Sequence, residues 1–293
     1  GLSLRAAFTA ECKTLGLKTI PVSMETLRVS KGIGQVGVVI QGAVSTKVHD
    51  IASEGEHRCI ALAAFLAELS QASHKSTLVF DDPVSSLDHK RREGIARRLV
   101  DEAKHRQVIV FTHDLAFLCD LESATPGGRK SIHCQHVEWR AQSPGNVADG
   151  LIWDAKSVAQ QLQDLRVRIG LADKIHSEGL ESEYKSAVGP VIDDLRALCE
   201  RVIEDVLLAD VIKRHASHLK VGNVHGVAKV KPDQWLSVKR VWSECSAVTP
   251  AHANTKSGPH NTPDPDRLKE WLEALDSTVT SVKQTRKAGA HAN

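Results

Sequence analysis

Residues 76–88 read Ser76-Thr77-Leu78-Val79-Phe80-Asp81-Asp82-Pro83-Val84-Ser85-Ser86-Leu87-Asp88. The apolar run Leu78-Val79-Phe80 is short, has β-branched and aromatic members, and ends in charge. That is the pattern of a strand buried on both faces. Two carboxylates at the end of such a strand, Asp81 and Asp82, are costly to leave unpaired. A cation held at the C-terminal edge of a parallel sheet, where ligands bind in open α/β folds, accounts for them. Pro83 ends the strand, and Ser85-Ser86-Leu87-Asp88 makes a polar turn before a helix. An acidic surface turn explains the same residues, so the flanking segments decide.

Upstream stands Ser53-Glu54-Gly55-Glu56-His57, followed by RCIALAAFLAEL. Ser53 or Glu54 caps a helix here, Gly55 allows close backbone approach, and Ala and Leu fill the body. A helix N-terminus with a serine and a glycine is a ready anion site. Downstream, Val108-Ile109-Val110-Phe111-Thr112 is a second apolar strand, ending in His113-Asp114.

In this order the segments resemble the ATP-binding-cassette ATPases. SEGEH resembles their signature motif, LVFDD the Walker B strand with its adjacent acid, SSLD the D-loop, and the strand-end Thr112-His113 the switch histidine. The wording is closest to the SMC-like, RecF/RecN-like branch. Within it the closest group is the large bacterial AAA family proteins that include the anticodon nucleases PrrC and RloC. The resemblance runs from Leu27 to Phe117. It implies an α/β fold: the C-terminal lobe of a P-loop NTPase head over residues 1–145, followed by a mainly α-helical domain over 146–293. It implies ATP and Mg²⁺ as cofactors. Asp81 would hold Mg²⁺, Asp82 would polarise the attacking water, and His113 would sense the γ-phosphate. Ser53, Gly55 and Glu56, at the helix start, would face the ATP held by a second copy of the head, and Asp88 would couple the two sites of that homodimer. Most such ATPases carry Glu where Asp82 stands; Asp is one methylene shorter.

Such an ATPase needs a GxxxxGK[ST] loop to hold the phosphates, and the sequence has none. Lys31-Gly32-Ile33-Gly34-Gln35 lacks the trailing Gly-Lys-Ser/Thr and reads as a hairpin turn between strands at 26–29 and 36–40. The expected partner is therefore an N-terminal P-loop segment of the same protein. The implied work is ATP hydrolysis at a dimer interface, in DNA repair or phage defence, with a DNA or RNA partner left open. A non-hydrolysing dimerisation module is a further reading.

The 293 residues, 41% hydrophobic and 25% charged, describe an ordinary globular chain, and a net charge of +2 does not announce a nucleic-acid partner. Six scattered cysteines without a CxxC suit buried thiols in a reducing, cytoplasmic setting. No run of 18 apolar residues exists for a membrane span, and there is no signal-peptide pattern. The spacing predicts helices over 2–15, 56–70, 89–106 and 114–121, with 89–106 strongly basic, either a solvated face or a surface for DNA or RNA. A strand is expected over 131–141; its His133 and His136 point to opposite faces, which argues against zinc. Ser143-Pro144-Gly145 is the expected domain boundary.

Beyond it, helices are expected over 154–171, 183–215 and 266–286, with a loop over 251–266. One candidate constellation stands apart. Arg196 and Glu200 lie one turn apart on a helix, and His252 follows. By resemblance to the anticodon nucleases, these three would supply the clamp, acid and base of an RNase gated by the ATPase. The plain alternative is an i,i+4 ion pair plus a loop histidine. Arg214-His215 with His218 is a rival set.

Overall fold

The computed structural model describes residues 3–17, 21–30, 33–41, 48, 52–140, 143–214, 218–248 and 262–288. The chain divides into two compact units, Gly1–His133 and Cys134–Asn293.

The first unit opens with helix α1 (Leu4–Thr14), whose cap Ser3 accepts from the Ala6 amide. Strands β1 (Val22–Ser30) and β2 (Ile33–Ile40) pair antiparallel. They run longer than the sequence suggested, and Ile33–Gln35 belong to β2 rather than to the turn. Helix α2 (Glu54–Gln71) packs on α1. Strand β3 (Leu78–Asp81) then leads through helix α3 (His89–Glu102) to strand β4 (Val108–Phe111), which lies parallel to it in the register Asp81↔Phe111. Helix α4 (Leu115–Ala124) packs against α3. A core of Phe8, Leu15, Leu66, Phe80, Ile95, Leu99 and Phe117 fills this unit.

The expectation that β3 is buried on both faces is not met. Leu78 and Phe80 enter the core, but Val79 is 60% exposed, and Ile109 and Phe111 of β4 stand on the same open face. Side chains alternate along a strand, so one layer of helices covers one set only.

The second unit begins with hairpin β5 (Gln135–Arg140) and β6 (Ser143–Asp149), paired Val137↔Val147. Ser143-Pro144-Gly145 is thus not a linker but the start of a strand, and the division falls at His133/Cys134 rather than at 145/146. Pro144 is tolerated near the beginning of an edge strand, where no ladder donor is required.

Among the described residues four long helices follow: α5 (Val158–Ser177), α6 (Glu181–Arg201), α7 (Pro232–Val248) and α8 (Pro265–Ala288). Each packs on the next and α8 returns to α5, closing a bundle around Leu165, Leu195, Leu198, Leu268 and Leu275. Helix α5 starts at Val158, later than expected, because Ser157 and Gln160 form a capping box there.

The helix expected over 183–215 stops early. After Arg201 the backbone widens into a π turn, Val202–Leu207, and Ala209 and Asp210 adopt left-handed backbone with φ 56 and 57. Arg286 of α8 donates to the carbonyls of Val206, Leu207 and Gly226 and so terminates the helix from outside.

Candidate functional site

The site is built on the paired ends of β3 and β4. Parallel pairing brings Asp82 and His113, each just past a strand end, to one edge. Nδ1 of His113 lies 3.1 Å from Oδ2 of Asp82, with the histidine 87% and the aspartate 24% exposed. Thr112 donates its hydroxyl to Oδ1 of Asp82 at 3.2 Å, and Ser85 approaches Oδ2 at 3.3 Å. The backbone amide of Asp82 continues the ladder to Phe111 at 2.8 Å. Asp82 itself is left-handed at φ 45, and Ser86 likewise at φ 65. Non-glycine residues in that region are strained, and such strain collects at functional sites. Asp81, in contrast, is exposed, and its side chain has no hydrogen bond or ion pair among the described residues.

The start of α2 abuts the turn after β3. Ser53 and Glu56 form a full capping box: the Ser53 hydroxyl accepts from the Glu56 amide at 3.3 Å, and the Glu56 carboxylate accepts from the Ser53 amide at 2.9 Å. The Ser53 hydroxyl also donates to Glu56 at 2.8 Å. Hydrogen bonds from the Ser53 amide and hydroxyl, aided by Arg91, hold the Glu56 carboxyl below its ordinary range. Arg91 reaches Glu56 at 2.9 Å from α3. Gly55 is buried, and a Cβ there would meet the Ser86 carbonyl oxygen at 2.8 Å and Leu87 at 2.9 Å, so only glycine lets the turn sit this close. Asp88 caps α3 through the amides of Lys90 and Arg91, and the Arg91 amide chiefly lowers its pKa.

Sequence reading missed Arg58, Ser85, Thr112 and Arg91 as members of this cluster. The Arg58–Ser85 bond spans 27 residues, so no local spacing announces it; Ser85 and Thr112 lie within the segments read as the D-loop and the switch, where only their neighbours were given roles.

The arginines of α3 are largely engaged within the unit. Arg92 pairs with Asp120 at 2.8 Å and Asp114 at 3.4 Å, and Arg98 with Glu11 at 2.9 Å and Glu102 at 2.8 Å. Burial opposes the charge of Arg98, yet hydrogen bonds from Glu11 and Glu102 hold its pKa above the ordinary value. Burial pushes the Asp120 carboxyl up despite Arg92. The basic segment is therefore mostly internal scaffolding, which weakens it as a surface for DNA or RNA.

The separate set is not assembled among the described residues. No ion pair joins Arg196 to Glu200, and the Arg196 Nε is buried without a hydrogen-bond partner. Glu200 is taken by Arg214 at 3.2 Å, and Arg214 also holds Glu204 at 2.7 Å. His252 and His215 lie outside the described residues.

Among the described residues no cluster of three or more His, Cys, Asp or Glu could hold a metal by itself. Burial raises the thiols of Cys12 and Cys59 to about 11, away from reactivity at neutral pH. No helix among the described residues is long and apolar enough to cross a membrane.

No match was found among curated proteins. Among solved structures, the chain is similar to one from work on the "Structural biochemistry of ATP-driven dimerization and DNA stimulated activation of SMC ATPases". The two are 17% identical, the likeness covers 56% of this chain and 91% of that one, and the TM-score is 0.38. Residues 39–145, which carry the whole cluster described above, match the family model of an AAA domain.

Proposed function

We propose that the first unit is the signature-and-acid part of an SMC-like ATPase head, hydrolysing ATP held between two copies of the head. The observation that carries this reading is the meeting of Asp82, Thr112 and His113 at neighbouring strand ends, on a strained backbone beside a capped helix start. The match of residues 39–145 to an AAA domain supports it. In this reading Asp82 orients the attacking water, and His113, exposed and beside it, addresses the γ-phosphate. The start of α2, with Ser53, Gly55 and Glu56, faces the ATP of the second copy, and the N-terminal segment of the same protein supplies the phosphate loop. Asp88, fixed as the cap of α3, couples the two sites.

The residues fit a Mg²⁺ ion. This ion takes one or two carboxylates and fills its shell with waters and phosphate oxygens, and Asp81 is the uncommitted carboxylate at this edge. When bound, the ion neutralises charge on the phosphates. A setting in DNA repair or phage defence follows from the family resemblance alone.

The test uses the protein with its phosphate loop. Asp82→Asn keeps the shape but loses the carboxylate, so ATP stays bound, the dimer stays closed, and turnover falls by about 10²-fold or more. Ser53→Arg puts a bulky cation at the helix start, and ATP then no longer drives dimerisation. Light scattering with ATP separates the two. An Asp82→Asn protein that stays monomeric, or a Ser53→Arg protein that dimerises like its parent, sinks the reading.

A further inference from the structure

Two hydroxyls touch the carboxylate of Asp82, and each has its proton direction fixed from behind. Ser85 Oγ accepts from Arg58 Nη1 at 3.0 Å. Thr112 Oγ1 accepts from the Asp114 amide at 3.0 Å. Guanidinium and backbone amide are donors only, and a hydroxyl has a single proton. The hydroxyl protons are therefore left to point at Asp82, from Thr112 to Oδ1 and from Ser85 to Oδ2 or to the Asp82 carbonyl at 3.2 Å. The Thr112 branch is local to β4. The Ser85 branch leads elsewhere. Arg58 sits in the second turn of α2, and its other nitrogen holds Glu54 of the first turn at 3.1 Å. Arg58 thus donates both to the first turn of α2, at Glu54, and through Ser85 into the carboxylate, beside the tight contact of Gly55 with Ser86 and Leu87.

We propose that Arg58, acting through Ser85, is a positioning residue for Asp82, so that the helix start and the carboxylate are set as one unit. The proposal rests on the ATPase reading for its catalytic sense: whatever seats against the first turn of α2 also sets the acid. Arg58 touches no reacting atom, so its loss acts on turnover and not on nucleotide capture.

Two measurements test this. On the 293-residue chain, the side-chain carboxyl carbon resonance of Asp82, assigned by its loss in Asp82→Asn, reads the local geometry without nucleotide. It moves in Arg58→Ala and in Ser85→Ala, and the double variant moves it no further than Ser85→Ala does. In the protein with its phosphate loop, Arg58→Ala lowers kcat about 10-fold at unchanged KM, as expected for a group set slightly out of place. Arg58→Lys, which keeps a donor to Ser85, recovers most of that loss. An Asp82 resonance untouched by Arg58→Ala overturns the relay, as does a double variant whose losses in kcat multiply. Full turnover in Asp82→Asn overturns the catalytic role of Asp82 and the catalytic sense of the relay with it, while the resonance still decides whether the relay exists.

Discussion

In the helical unit Leu165, Leu195, Leu198, Leu268 and Leu275 have no exposed surface, whereas in the other unit Val79 and Phe111 stand 60% and 54% exposed on one face of β3 and β4. A bundle of four amphipathic helices can shut its apolar stripes inward by itself. A two-stranded parallel sheet has two faces, and the helices of its own unit cover one. The helical unit thus has a closed core of its own. The first unit has a core on one side of the sheet and an apolar face on the other, the condition of a layer built to be covered. Hairpin β5–β6 shares that condition, with Trp139 72% exposed beside Val137 and Val147.

The contrast can be broken by substitution. Leu195→Ala, in the closed bundle, is expected to cost about 2–5 kcal/mol of stability, because the cavity cannot collapse among packed helices. A loss under about 1 kcal/mol in chemical denaturation would show the bundle core to be loose. Gly55→Ala is expected to cost about 1–3 kcal/mol, since the added methyl meets the backbone oxygen of Ser86. Its effect is local, so hydrogen exchange should rise at the start of α2 and in residues 82–88 and stay unchanged in α5–α8.

Acid separates the helix caps of the first unit from the π turn of the second by sign. Glu56 and Asp88 have folded pKa values below their ordinary 4.5 and 3.8. Their contribution is full above those values and is lost as pH falls through the lowered ones. Asp205, in the π turn, is shifted upward by burial. Its ionised form burdens the fold at neutral pH, and protonation relieves that burden as pH falls. Protection factors at the starts of α2 and α3 should therefore drop below about pH 4, while those of residues 202–210 do not. The reverse order would contradict the capping account. The smallest expected effect is that of Phe111→Ser in this chain, about 0.5 kcal/mol or less, as for an exposed side chain. A loss above about 1.5 kcal/mol would mean that the face is already covered.

Which of these features the sequence announced follows from how local their causes are. The strand ends were legible because apolar runs stop abruptly at Asp81-Asp82 and at Thr112-His113. The helix start was legible because Ser53 and Glu56 stand three residues apart, the spacing of a capping box. The open face was not, because Leu78, Val79 and Phe80 are all apolar and composition does not tell inside from outside. Strand β6 was misread because Pro144 and Gly145 signal turns whether or not an edge strand follows. The end of α6 was hidden for a different reason: its breaking depends on Arg286, 80 residues away from Val206.

That same separation bears on how the protein is made. The carbonyls of the π turn after α6 receive their guanidinium only after residue 286 has left the ribosome. At about 5–20 residues per second, the 80 intervening residues take on the order of ten seconds. Until α8 is made, the faces of α5 and α7 that pack on it stand uncovered. The first unit has a clamp of similar reach, Arg98–Glu11 across 87 residues, but its chain is complete before the second unit is made. Nascent chains stalled before α8 should accordingly be protease-resistant in the first unit and sensitive in the second.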